Sequence, residues 1–207
     1  TFNPLEGSHS VVDCVPCTAG SYCDTRGLSA PTGPCEGGFY CVGGARKPKP
    51  KTLDEGGARC TVGHYCPIGS SDPSPGGYYV AATGSSSLYA DEGAEDGDGD
   101  AVSSGPCLAG YYCNGGCRTP TPEAGSLDGG PCPRHHRCPE GTHVPKACPP
   151  GSYQDREGQT KCNVCPEGYA CPGNGVFEVC PAGHWCPSGS SIGEPCPAGT
   201  FNPKNGR

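Results

Sequence analysis

At 207 residues the chain could hold one or two ordinary domains, but it carries 36 Gly, 25 Pro and 19 Cys against four Phe, one Trp and two Ile (Ile68 and Ile192), which excludes a large continuous apolar core. Cross-links must then restrict the unfolded chain, and persistent disulfides place it in an extracellular or lumenal compartment. The net charge of −7 argues against nucleic acid and anionic membrane as general partners, and no apolar run approaches the ~20 residues needed to span a bilayer.

Seven cysteine pairs share one spacing, with five residues between the two Cys: Cys17/Cys23, Cys35/Cys41, Cys60/Cys66, Cys107/Cys113, Cys132/Cys138, Cys165/Cys171 and Cys180/Cys186. The intervening segments read TAGSY, EGGFY, TVGHY, LAGYY, PRHHR, PEGYA and PAGHW. Seven equal spacings define an internal repeat. Pro and Gly set a turn in which Gly is free to take positive φ, and the aromatic covers a disulfide or the next repeat. Only Cys132–Cys138 lacks both the Gly and the aromatic.

Cys148 and Cys196 open two further repeats, PPGSYQ and PAGTFN, with Gln154 and Asn202 where the second Cys would stand. Cys162, fourteen residues beyond Cys148, is the shifted partner expected for it. Thr1-Phe2-Asn3-Pro4 repeats Thr200-Phe201-Asn202-Pro203, so the sequence is expected to begin inside one repeat, closed by Cys14, and to end inside another, opened by Cys196. Ser74 to Val80 reads as a degenerate repeat that has lost both cysteines. The chain therefore divides into cysteine-rich repeats over 1–66, a degenerate repeat with an acidic Gly/Ser-rich linker over 67–106, and cysteine-rich repeats over 107–147 and 148–207. The expected fold is a set of small disulfide-rich repeats, about nine to ten in number, forming an elongated, irregular, mostly-β array with little or no α-helix.

The segment CPPGSYQDREGQTKCNVCPEGYACPGNG resembles the ephrin-receptor-like cysteine-rich repeat and, more loosely, tumour-necrosis-factor receptor modules. Such repeats occur in animal receptors and in large surface and flagellar-hair (mastigoneme-like) proteins of algae and protists. The resemblance implies short irregular strands and two alternative pairings. Local pairing joins each Cys to the one six or fourteen positions on. Crossed pairing, as in receptor modules, joins Cys165–Cys180 with Cys171–Cys186 and Cys17–Cys35 with Cys23–Cys41. Both include Cys148–Cys162, and the sequence leaves the choice open. Cys117, in an exposed-looking Gly loop, is left over as an unpaired thiol or a candidate for an interchain bond.

Other segments have a plain and a sharper reading. Residues 91–100, DEGAEDGDGD, form a solvated acidic linker; the sharper reading is a calcium loop through Asp96, Asp98 and Asp100, the one cofactor the sequence suggests. Arg46-Lys-Pro-Lys-Pro-Lys51 reads as an exposed, extended basic loop, or as a contact for the acidic run of a neighbouring copy. Arg134-His-His-Arg137 lacks a third ligand for zinc. Thr119, Thr121, Ser71 and Ser74 sit in Pro-rich segments suited to O-glycosylation. No nucleophile, base or phosphate-loop motif has the context catalysis needs, so the chain is not read as an enzyme. The expected role is a structural subunit of an extracellular filament, coat or flagellar appendage, with copies of itself or other subunits as partners; the alternative is a ligand-binding or stalk region of a receptor ectodomain.

Overall fold

The computed structural model describes residues 1–6, 10–72, 104–173 and 176–206. Among them there is no α-helix. Two single-turn 3-10 helices occur, Val11–Asp13 and Leu53–Glu55. The first is fixed by a reciprocal cap in which the Ser10 hydroxyl accepts from Val12 N–H and the Asp13 carboxylate accepts from Ser10 N–H.

All remaining regular structure is in two-residue to five-residue strands. β1 (Ser21–Tyr22) pairs with β2 (Gly33–Pro34), β3 (Phe39–Cys41) with β4 (Gly57–Arg59), and β5 (His64–Tyr65) with β6 (Gly105–Pro106), all antiparallel. After β7 (Tyr111–Cys113) and β8 (Gly129–Pro131), β9 (His136–Arg137) pairs with β10 (Lys146–Ala147). β11 (Ser152–Tyr153) pairs with β12 (Asn163–Val164), β13 (Tyr169–Gly173) with β14 (Val176–Val179), and β15 (His184–Trp185) with β16 (Glu194–Pro195). Each of these hairpins follows one rule. The two residues before a closing cysteine, or before its replacement, pair with the two residues before the next opening cysteine. A hairpin thus joins consecutive repeats rather than lying inside one. Every strand is an edge strand, which is why Pro34, Pro106 and Pro195 are tolerated in them.

The chain forms two compact parts: Thr1–Cys107 with Cys113–Gly129, and Leu108–Tyr112 with Gly130–Arg207. In each the interior is cystine rather than aliphatic. Cys17, Cys35, Cys41, Cys66, Cys107 and Cys113 are fully buried in the first part, and Cys132, Cys138, Cys165 and Cys171 in the second. Aromatic rings supplement the sulfur. In the first part the Tyr22 and Tyr65 rings lie against Gly33 and Gly105 of the facing strands, at 3.5 and 3.3 Å from the point where a Cβ would stand. A Cβ at Gly105 would crowd the Tyr65 ring, while one at Gly33 would touch the Tyr22 ring at ordinary contact distance. In the second part Phe177 meets Tyr153 and Tyr169 edge-on, with centroids 5.0 and 5.3 Å apart, beside a register shift between Ala170 and Gly173. The fold is one of small disulfide-rich repeats built from β-hairpins.

Candidate functional site

The most repeated arrangement in the molecule is a pair of backbone hydrogen bonds at each junction between repeats. Both come from the fourth residue of a repeat. Its N–H donates to the carbonyl of the closing position of the next repeat: Gly20 to Cys41, Gly38 to Cys66 and Gly63 to Cys113 in the first part. In the second part the bonds run from Gly110 to Cys138, His135 to Gln154, Gly151 to Cys171, Gly168 to Cys186 and Gly183 to Asn202. Its carbonyl accepts from the opening cysteine N–H of that next repeat, as in Cys35 to Gly20, Cys107 to Gly63, Cys148 to His135 and Cys196 to Gly183. All these bonds fall between 2.7 and 2.9 Å. The fourth residue presents both groups to one neighbour because it is left-handed, with φ from 68° to 92° across the eight junctions. His135, at φ 68°, is the one non-glycine residue with positive φ among the described residues.

A second glycine completes six of the eight junctions. Gly44, Gly69, Gly116, Gly158, Gly189 and Gly206 lie three or four residues past a closing position and have positive φ. Each donates to the opening cysteine carbonyl of the preceding repeat, at 2.8 or 2.9 Å. The residue after this glycine then accepts from the preceding closing cysteine: Ala45 from Cys23, Ser70 from Cys41, Cys117 from Cys66, Gln159 from Cys138 and Ser190 from Cys171. These glycines also reach one repeat further. A Cβ on Gly110 would stand 2.5 Å from the Gly158 carbonyl oxygen, one on Gly151 2.5 Å from that of Gly189, and one on Gly168 2.5 Å from that of Gly206.

The cystines are local. Cys17–Cys23, Cys35–Cys41, Cys60–Cys66, Cys107–Cys113, Cys132–Cys138, Cys165–Cys171 and Cys180–Cys186 each close six positions apart, and Cys148–Cys162 closes fourteen apart. The crossed alternative is therefore not formed. Each six-position loop contributes roughly 2–2.5 kcal/mol in the chain-entropy picture. Where the second Cys is replaced, an amide side chain takes over. Gln154, 2% exposed, donates through Nε2 to Lys161 O and accepts at Oε1 from Arg156 N–H. Asn202 donates to His184 O and accepts from Lys204 N–H, and Asn3 accepts from Leu5 N–H in the same manner.

Cys117 requires a correction. It is not on an exposed loop: it is 1% exposed and stands where other junctions place Ala45, Ser70 or Ser190. Its thiol donates to Asp128 O at 2.7 Å. Burial, and secondarily the Asp128 charge, push that thiol up to about 11, so it is a packing residue poorly placed for an interchain bond. Cys14 and Cys196, also unpaired, are half-buried.

The basic loop also differs from expectation. It bends at residues 47–49 instead of running straight as polyproline II, with Pro50 fully buried. Two of its three lysines are engaged in ion pairs inside the chain. Lys49 pairs with Glu36 at 2.9 Å and Lys47 with Glu55 at 3.2 Å. The Lys51 N–H bond and then the Lys47 bond hold the Glu55 carboxyl below its ordinary value.

The junction from Cys60–Cys66 runs directly to Cys107–Cys113, because Gly63 bonds to both Cys113 and Cys107. The degenerate repeat at 74–80, with Ser74, and the calcium candidates Asp96, Asp98 and Asp100 lie outside the described residues, which resume at Ser104, hydrogen-bonded to Asp72 O. Thr119 and Thr121 are exposed and Ser71 is half-buried. His136 turns its Nδ1 to Arg134 O, and among the described residues no group of three His, Cys, Asp or Glu could hold a metal ion. No described helix is long and apolar enough to cross a membrane. No family model matches the chain, and no curated protein matches it.

The junction scheme was only half visible in the sequence. The first glycine is in the CxxGxxC pattern. The second recurs at a variable offset beyond the closing position, and aligning repeats on their closing residue would have exposed it.

Proposed function

We propose that this chain is a structural segment of an extracellular filament, coat or flagellar appendage assembled from copies of itself or from related subunits. The observation that carries the reading is the repetition of one pair of backbone bonds at junctions whose side chains differ. Here the recurring element is main chain, and its service is to couple one repeat to the next. The eight cystines fit an oxidising extracellular setting, and the resemblance of 148–175 to ephrin-receptor-like repeats fits proteins built as arrays of small modules.

The test is the state of the purified, oxidised protein. Analytical ultracentrifugation and electron microscopy should find linear or helical polymers, with repeated contacts of more than roughly 1,000 Å² between copies. A monodisperse monomer at high concentration that binds a soluble ligand through its repeats would overturn the reading in favour of a receptor module.

A further inference from the structure

The first compact part contains a feature that repeat coupling does not account for. A groove of about 430 Å³ is lined by Gly37, Phe39, Lys51, Arg59, Gly116, Arg118 and Asp128. In a chain of net charge −7 its lining carries three cations against one carboxylate. The two arginines are laid in place by glycines. Arg118 runs its stem over Gly37, with its Cγ, Cδ and Cβ at 3.2, 3.4 and 3.5 Å from the point where a Cβ would stand. Arg59 lays its guanidinium over Gly116, where a Cβ would collide with it. Each is also held by one carboxylate, Arg118 by Glu36 at 3.3 Å and Arg59 by Asp128 at 3.0 Å, through a single Nη2. Both side chains stay more than half exposed, so their remaining N–H groups face the groove or solvent.

From this geometry we infer that the groove is a binding site for a sulfated polysaccharide. The fixed guanidinium forks match the geometry of a sulfate group and remain charged at every relevant pH. Much of the ordering cost of two long side chains is already met in the unbound protein. The glycines at 37 and 116 leave room for the two arginines to lie flat against the backbone, so that both guanidinium groups are presented along one groove. The Phe39 ring, partly buried against the Cys35–Cys41 cystine, offers an apolar face to sugar C–H groups. Lys51 supplies a third positive charge; its ammonium attracts the Glu55 carboxylate at a distance but closes no ion pair with any described residue. The inference does not rest on the polymer reading and stands or falls separately from it.

The test uses the oxidised 207-residue chain and a dextran sulfate oligosaccharide, with neutral dextran of equal length and the peptide DEGAEDGDGD as comparisons. Amide shifts on titration should centre on Gly37, Phe39 and Gly116. The affinity should fall steeply with salt. K51Q should weaken binding about 3-fold to 10-fold with the fold retained, since the Lys51 N–H bond to Glu55 is kept and only a solvent-screened attraction is lost, and K51Q/R118Q should weaken it further. Shifts centred on Arg134–Arg137, equal affinity for neutral dextran, tighter binding of the acidic peptide, or an affinity indifferent to K51Q would each overturn the assignment.

Discussion

The amide of His135 donates to the carbonyl of Gln154 at 2.8 Å, and neither residue belongs to the motif of its repeat. Seven other junctions make the same bond from a glycine. The bond is therefore a property of backbone geometry, which a histidine held at φ 68° satisfies. Left-handed backbone is expensive for a β-branched side chain and unattractive for any residue with a Cβ. His135→Val should lower stability by about 1–2 kcal/mol, whereas His135→Gly should stay within about 1 kcal/mol of the native chain, because relief of strain offsets the looser unfolded state. Urea melts of the oxidised protein distinguish these outcomes.

Contact between glycines sets a larger penalty. Gly110 has φ 92° and its absent Cβ faces the Gly158 carbonyl oxygen at 2.5 Å; Gly125 has φ 83° and nothing within 4 Å. Gly110→Ala should cost more than about 2 kcal/mol, since backbone must move. Gly125→Ala should cost only about 1 kcal/mol, for conformation alone. Equal costs in denaturant titration would remove the interlocking of alternate repeats from the account.

The amide at a missing cysteine is expected to matter in proportion to its two bonds. Gln154→Ala leaves the Lys161 carbonyl and Arg156 N–H without their partner and should cost about 1–2 kcal/mol. Gln154→Glu should cost more, because a buried carboxylate would then face a carbonyl oxygen. Native-state exchange at Lys161 and Arg156 reads the local effect.

Cys117 gives a pH dependence of known sign. Its folded thiol is raised to about 11, mainly by burial, above the unfolded value of roughly 8.5. The neutral thiol's contribution is fully present below the unfolded value and is lost as pH rises toward about 11. Cys117→Ala should flatten that alkaline decline. Under native conditions iodoacetamide should label Cys14 and Cys196 well before Cys117, and faster labelling of Cys117 would contradict its burial.

Much of the fold can be read from residue types. Equal cysteine spacing, one glycine per repeat and almost no aliphatic content lead to cystine-centred hairpins without helices, and the Cys148–Cys162 pair follows from its shifted spacing. The pairing choice was not legible, because equal spacings allow both local and crossed partners; backbone geometry at Gly20 and its equivalents decides it. Cys117 looked exposed because glycines flank it, yet those glycines fold its loop inward to fill an alanine-sized slot. The arginine groove was invisible because Arg59 and Arg118 are distant in sequence and meet only when Gly116 and Gly37 bring their turns together.

The junction scheme is tested most directly by amide hydrogen exchange on the oxidised protein. Gly20, Gly38, Gly63, Gly110, His135, Gly151, Gly168 and Gly183 donate across junctions, while Gly199 holds the same position in the final repeat, has φ 87° and has no backbone acceptor among the described residues. The eight donor amides should exchange at least about 100-fold more slowly than Gly199, as expected when exchange requires opening of the structure. Exchange of those eight at the rate of Gly199 would contradict the coupling of repeats through their fourth residue.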